Sequence, residues 1–168
     1  CTEVVEKERD LLRRFPYQNG YSLYIGIPFC PSTCLYCSFA SYPIGAYQKQ
    51  VKSYLKALMK EAAFVRDRYQ GKKLETLYIG GGTPTALAKD DLEILLDGIN
   101  QYFPFETIRE VTVEAGRPDS LDQEKLKVLS KYGVTRISIN PQTMNDRTLQ
   151  RIGRNHTAQD VREKFYLA

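Results

Sequence analysis

The sequence predicts a parallel α/β fold, read from three observations. Four short apolar, β-rich runs recur along the chain: Ser22–Ile27 (SLYIGI), Leu74–Ile79 (LETLYI), Glu110–Glu114 (EVTVE) and Thr135–Ile139 (TRISI). Between them lie segments with helical spacing of apolar residues, and strands alternating with helices build parallel βαβ units with right-handed crossovers. Each polar cluster follows a strand: cysteines after the first, glycines after the second, Glu114 closing the third and Gln142 after the fourth. In barrels of βα units the chemistry gathers at the C-terminal strand ends. Four units make part of such a barrel, and the polar clusters converge on one shared site.

The elements follow in order. Residues 2–14 (TEVVEKERDLLRR) read as a short helix with Thr2 placed to cap it, ended by Pro16, Asn19 and Gly20. The first strand feeds the Pro- and Ser-punctuated loop PFCPSTCLYCSFASYP. A long helix over residues 46–69 follows, with Val51, Tyr54, Leu55, Leu58, Met59, Ala62 and Val65 on one face and Gly71 as its stop. The second strand runs into Gly80-Gly81-Gly82-Thr83-Pro84-Thr85. Asp90 is read as the cap of the next helix, which turns Leu92, Leu95, Leu96 and Ile99 inward and ends near Phe103. After the third strand come Ala115-Gly116-Arg117-Pro118 and a helix over 123–132 that Gly133 ends. After the fourth come Asn140-Pro141-Gln142 and two short helices, 146–152 and 158–167. The chain opens on Cys1 rather than Met and stops where another strand is expected. It therefore reads as a partial or processed product, with residues 1–20 a helix and linker and 21–168 a core domain truncated on its C-terminal side.

Composition narrows the function. With 42% hydrophobic and 26% charged residues, the 168-residue chain has an ordinary globular make-up. It needs neither disulfides nor a structural metal merely to fold. No apolar run approaches a membrane span, and no signal-peptide pattern opens the chain. The net charge of +4 is spread along the chain, which reads as a solvated surface rather than a nucleic-acid footprint. Three of the four cysteines, Cys30, Cys34 and Cys37, crowd one loop, whereas a disulfide framework spreads its cysteines. Crowded thiols point to a reducing cytoplasm and a metal or cluster site. One histidine, His156, leaves little room for His-based catalysis or metal binding, and is read as a structural loop residue.

Thiolates are the soft ligands iron–sulfur clusters use. Three of them leave one iron of a cubane without a protein ligand, open to a cofactor or substrate. A zinc site needs four closed ligands, which only Cys1 or His156 could complete, and no spacing rule places either. Simple buried or redox cysteines are a further alternative, and Cys1 itself is read as a bystander. The glycine run is not GxxxxGK[ST], which disfavours a phosphate loop. Glycines allow a ligand close approach to the backbone, and their carbonyls can accept from an ammonium.

Cys30-x-x-x-Cys34-x-Tyr36-Cys37 resembles the signature of the radical S-adenosylmethionine (radical SAM) superfamily, and the Gly-Gly-Gly-Thr-Pro-Thr run strengthens the match. With YIGIPFCPSTCLYCSF, LYIGGGTPT, VTVEAGRPDSL and RISINPQTMNDRTLQRIGRNH, residues 21–168 resemble the oxygen-independent coproporphyrinogen III oxidase (coproporphyrinogen dehydrogenase) family, its HemZ-type branch. The resemblance implies a partial TIM-like half-barrel holding a 4Fe-4S cluster and S-adenosyl-L-methionine. It implies oxidative decarboxylation of coproporphyrinogen III to protoporphyrinogen IX through a 5′-deoxyadenosyl radical, in haem biosynthesis. It further implies a porphyrinogen or other small-molecule substrate and a flavodoxin- or ferredoxin-like electron donor, with no catalytic acid or base from the protein.

By the same resemblance Cys30, Cys34 and Cys37 match the cluster ligands. Tyr36 matches an aromatic near the adenine, and Tyr24 a tyrosine that contacts the cofactor. Gly81, Gly82 and Thr83 match the segment that receives the methionyl amino group. Glu114 matches an acidic cofactor contact, Gln142 a glutamine at the ribose and Arg154 an arginine at the carboxylate, which guanidinium binds bidentately. Arg147 and Arg151 are read as solvated. Phe39 stands where the best-known oxidase branch carries another cysteine, and in this the chain resembles sister branches that include haem-chaperone-like proteins. A haem-binding chaperone on the same scaffold, and a radical SAM enzyme with another substrate, are the rival readings.

Overall fold

The computed structural model describes residues 2–14 and 19–168. Cys1 and Pro16, and with them the readings of a bystander thiol and a helix stop, lie outside the described residues.

Helix α1 (Thr2–Leu12) already includes Thr2, so that residue is helical rather than a cap. Strand β1 (Gly20–Ile27) is followed by two-residue strands β2 (Phe29–Cys30) and β3 (Tyr42–Pro43), which pair with each other in parallel and bracket the cysteine loop. Helix α2 (Ile44–Arg68), strand β4 (Lys73–Gly81), helix α3 (Lys89–Tyr102), strand β5 (Glu110–Glu114), helix α4 (Gln123–Lys131), strand β6 (Arg136–Ser138) and helices α5 (Asp146–Arg151) and α6 (Ala158–Leu167) complete the order.

The main sheet is parallel throughout, in the order β1-β4-β5-β6. Each unit adds its strand beside the last, as in a barrel opened part-way. The strand period of two sorts the side chains. Ile25, Ile27, Leu77, Ile79, Val111 and Val113 are buried with Val51, Leu55 and Leu58 of α2, Leu92, Leu95, Leu96 and Ile99 of α3, and Val128 and Leu129 of α4. The alternate positions form polar rows by register: Ser22, Thr76 and Glu110; then Tyr24, Tyr78, Thr112 and Arg136; then Gly26, Gly80, Glu114 and Ser138. The last row lies at the C-terminal strand ends, where the site forms.

Three further expectations are corrected. Asp90 is not the cap of α3: the helix starts at Lys89 after Ala88, which makes no side-chain cap bond. Asp90 and Asp91 instead occupy the first turn, where carboxylates favour the helix dipole. The fourth strand is shorter than read, at Arg136–Ser138, and Thr135 before it bonds to Val111 through its side chain as well as its backbone. Its Oγ1 accepts from Val111 N at 2.9 Å and donates to Val111 O at 3.1 Å. The second strand is longer and carries Gly80 and Gly81 within it, Gly81 with φ 102°.

His156 lies in the turn before α6, with its side chain fully buried and, among the described residues, no well-formed hydrogen bond to either ring nitrogen, the Pro141 carbonyl being the backbone acceptor that acts on it. Burial pushes its pKa below 6.5, and the Pro141 carbonyl and Asp119 pull it partly back. The folded chain therefore resists a proton that the unfolded chain accepts. The stability tied to this neutral ring is present above about pH 6.5 and lost as pH falls below it. Urea unfolding at pH 7.5 and 5.5 is expected to show a smaller loss in His156→Gln than in wild type; equal losses would contradict this burial effect.

Candidate functional site

The cysteine loop is fixed from three sides. Within it, Cys37 N donates to Cys34 O at 3.1 Å, closing a turn. From the C-terminal region, Leu35 N donates to Ile152 O at 3.1 Å, and Ser32 Oγ to Gly153 O at 3.4 Å. Gly153 takes φ 78°, in the left-handed region that a side chain would strain. From the glycine run, Gly82 N donates to Ile27 O and Thr83 N to Phe29 O, both at 2.7 Å, and Thr83 Oγ1 lies 3.5 Å from Cys30 Sγ. A Cβ on Gly82 would stand 2.6 Å from Phe29 O and 3.0 Å from Cys30 Sγ, so only glycine allows this approach.

Glu114 joins the glycine run to the sheet. It accepts from Tyr78 Oη on Oε1 at 2.6 Å and from Gly81 N on Oε2 at 3.2 Å. The bond to Glu114, with burial, pushes the Tyr78 phenol up to about 12, so Tyr78 stays a donor. The N–H groups of Gly81, Gly82 and Thr83 are thus all taken by protein acceptors. With these donors committed, carbonyl oxygen rather than N–H is what the segment has left for a ligand, Thr83 O already accepting from Ala86 N at 2.8 Å; this suits an ammonium and not a phosphate.

These pieces wall an open cleft of about 220 Å³. Small-molecule sites commonly enclose roughly 300–1,000 Å³, so the described residues supply part of a ligand's surroundings. Among the residues expected from sequence, Cys30, Cys34, Cys37, Tyr36, Gly81, Gly82, Thr83, Glu114, Gln142 and Arg154 all line the cleft, as does Phe39. Tyr24 does not. It starts one row down the sheet, its ring stacked on Tyr78 at 5.8 Å and extending toward Gly26, with Cε1 3.5 Å from where a Cβ on Gly26 would stand.

Arg154 is buried. It donates to Gly116 O at 3.3 Å and to Tyr36 Oη at 3.0 Å, and its buried Nε has no partner among the described residues. Gln142 holds φ 60°, a strained value for a residue with a side chain, with its N–H bonded to Asn140 Oδ1 at 3.0 Å. Arg147 and Arg151 are exposed, as expected.

Sequence reasoning missed Arg117. It is buried, lines the cleft and pairs with Asp119 through Nε at 2.9 Å and Nη2 at 2.7 Å. Burial opposes its charge, but Asp119 and the Cys34 and Cys30 sulfurs outweigh that and raise its pKa. The signal was an Arg-x-Asp pair just after a strand end, whose other contacts lie too far along the chain to read.

The Radical SAM superfamily profile matches residues 24–168. The chain belongs to the radical SAM superfamily. It is 45% identical over 173 residues to the oxygen-independent coproporphyrinogen-III oxidase-like protein HemZ of Bacillus subtilis (strain 168), covering 99% of this chain and 34% of that protein. It is 43% identical over 145 residues to the heme chaperone HemW of the same organism, covering 86% of this chain and 38% of that one. The solved coproporphyrinogen III oxidase HemN of Escherichia coli superposes with a TM-score of 0.77 at 24% identity, over 92% of this chain and 35% of that chain, a likeness of fold. The chain spans about a third of the length of these relatives.

A radical SAM domain implies S-adenosylmethionine and an iron–sulfur cluster, and the residues present fit both. Three free thiols line one cleft wall, yet no group of three His, Cys, Asp or Glu among the described residues is arranged to hold a single ion. Thiolates are the ligands by which proteins hold iron–sulfur clusters, each binding a different iron. The unpartnered Arg154 Nε and the carbonyl-presenting glycine run suit the carboxylate and ammonium of an amino-acid ligand. Among the described residues no helix is long and apolar enough to cross a membrane.

Proposed function

We propose that this cleft is the cofactor site of a radical SAM oxidoreductase acting on coproporphyrinogen III. Cys30, Cys34 and Cys37 would hold a 4Fe-4S cluster with one iron left for S-adenosylmethionine. When bound and reduced by a flavodoxin- or ferredoxin-like donor, the cluster and S-adenosylmethionine together would supply radical chemistry for hydrogen abstraction.

The protein's own work is binding, orientation and exclusion of water. Gly81, Gly82 and Thr83 would receive the ammonium on carbonyl oxygens and Arg154 the carboxylate. Tyr36 would lie along the adenine, its phenol oriented by Arg154. Glu114 and Gln142 would meet the ribose hydroxyls, and Tyr24 would buttress Tyr78, which holds Glu114 in place. Two of the substrate's propionate side chains would each give up one hydrogen atom, one electron to an acceptor and carbon dioxide, leaving a vinyl group. No side chain need serve as acid or base.

The observation that carries this reading is the full commitment of the Gly81, Gly82 and Thr83 N–H groups beside three thiols, an arrangement that supports a site for an ammonium next to a thiolate-held cluster. A haem-binding chaperone is the second reading. It is favoured by the similar identity to a heme chaperone and by Phe39, three-quarters exposed on the cleft wall where an oxidase branch has cysteine.

Product analysis with the full-length protein, reductant and S-adenosylmethionine separates them. Conversion of coproporphyrinogen to protoporphyrinogen is the expected result. Tight haem binding, with cofactor cleavage but no such product, would overturn the oxidase reading.

A further inference from the structure

We propose that Arg117 is a positioning residue that clamps the cysteine loop and places a positive charge against the Cys34 sulfur, setting the potential of the cluster held there. The inference rests on the cluster assignment made above. The Arg117 side chain is 3% exposed, and its Nε and Nη2 fork onto both oxygens of Asp119, which fixes the guanidinium plane. Its remaining contacts all go to the cysteine loop. Nη1 donates to Ser32 O at 3.3 Å and toward Cys34 Sγ at 3.6 Å, and Nη2 to Ser32 Oγ at 3.1 Å. Behind Asp119 stands buried His156, with Nδ1 4.0 Å from Asp119 Oδ1.

A buried ion pair is poor value for stability alone, because desolvation offsets much of the attraction. An apolar pair would fill this space as well. What an apolar pair could not do is donate to the loop carbonyl, the loop hydroxyl and the sulfur together. A metal-bound cysteine is a thiolate, and Arg117 is the cation turned toward it, with Asp119 on the opposite edge of the guanidinium. Hydrogen bonds to sulfur and local charge are the levers by which a protein tunes a cluster. Positive charge favours the reduced, more negative cluster and so raises its potential.

The two members of the pair therefore act with opposite sign. Neutralising Arg117 lowers the potential, and neutralising Asp119 raises it by leaving the guanidinium charge uncompensated. Loosened packing alone has no reason to move the two in opposite directions.

The test is a redox titration of the anaerobically reconstituted chain followed by electron paramagnetic resonance, on wild type, Arg117→Gln and Asp119→Asn. Arg117→Gln is expected to lower the reduced-to-oxidised ratio at fixed potential about tenfold, a shift of about 59 mV for one electron. Asp119→Asn is expected to raise it. Unmoved potentials, or shifts of both variants in one direction, overturn the proposal. If Arg117→Gln assembles no cluster, Asp119→Asn carries the test alone: a rise supports the proposal, and no change or a fall overturns it. A wild-type chain that takes up no cluster would instead sink the functional reading itself.

Discussion

Gly82→Ala is expected to lose cluster binding and fold stability together. The added Cβ would meet Phe29 O at 2.6 Å and Ile27 O at 2.8 Å, both backbone atoms, and Cys30 Sγ at 3.0 Å. Backbone cannot swing aside as a side chain can, so β4 and the start of the cysteine loop must separate. That breaks the bonds from Gly82 N to Ile27 O and from Thr83 N to Phe29 O. Overpacking of this kind costs about 1–3 kcal/mol, and it moves Cys30 directly. Gly45→Ala is the control: nothing lies within 4 Å of its Cβ, and alanine in a helix is favoured over glycine by roughly 0.5–1 kcal/mol. Urea midpoints and iron per chain should both fall in Gly82→Ala, and neither should fall in Gly45→Ala. Wild-type iron content in Gly82→Ala would show that the close approach does not matter to the site.

Cys34→Ala is expected to abolish cluster assembly while leaving the fold intact. Cys34 is only half-buried, and its backbone turn to Cys37 does not use the sulfur. Its side chain meets Arg117, which keeps Asp119 and Ser32 as partners when the sulfur is gone. Iron and sulfide per chain should drop to background with the circular dichroism spectrum unchanged. Retention of a full cluster would remove Cys34 from the ligand set.

Most of the site was legible because its residues are local in sequence and follow strand ends. The cysteine spacing, the glycine run and Glu114 each lie in one short motif, and the parallel sheet then brings the strand ends together. The two-residue strands β2 and β3 carry no periodicity and could not be read. Arg117 could not be read as a site residue either, because Ser32 and Cys34 lie 85 and 83 residues away. Gln142 matched by motif, but its positive φ did not show, since glutamine has no preference for that region. Tyr24 matched by motif as a cofactor contact, and strand alternation puts it on the open face, stacked on Tyr78 with its ring edge toward Gly26. Tyr54 was read as part of an apolar stripe, yet its hydroxyl donates to Gly26 O beside the site, a use that spacing alone cannot reveal.

In the proposed site three thiolates hold a cluster with one iron open to S-adenosylmethionine. Anaerobic reconstitution, with iron and sulfide analysis and the reduced spectrum recorded before and after adding S-adenosylmethionine, tests it most directly. The expected result is about four irons and four sulfides per chain, as a cubane with three cysteine ligands requires, and a spectrum that changes when S-adenosylmethionine is added. One zinc with no sulfide, or a cluster whose spectrum is indifferent to S-adenosylmethionine, would contradict it.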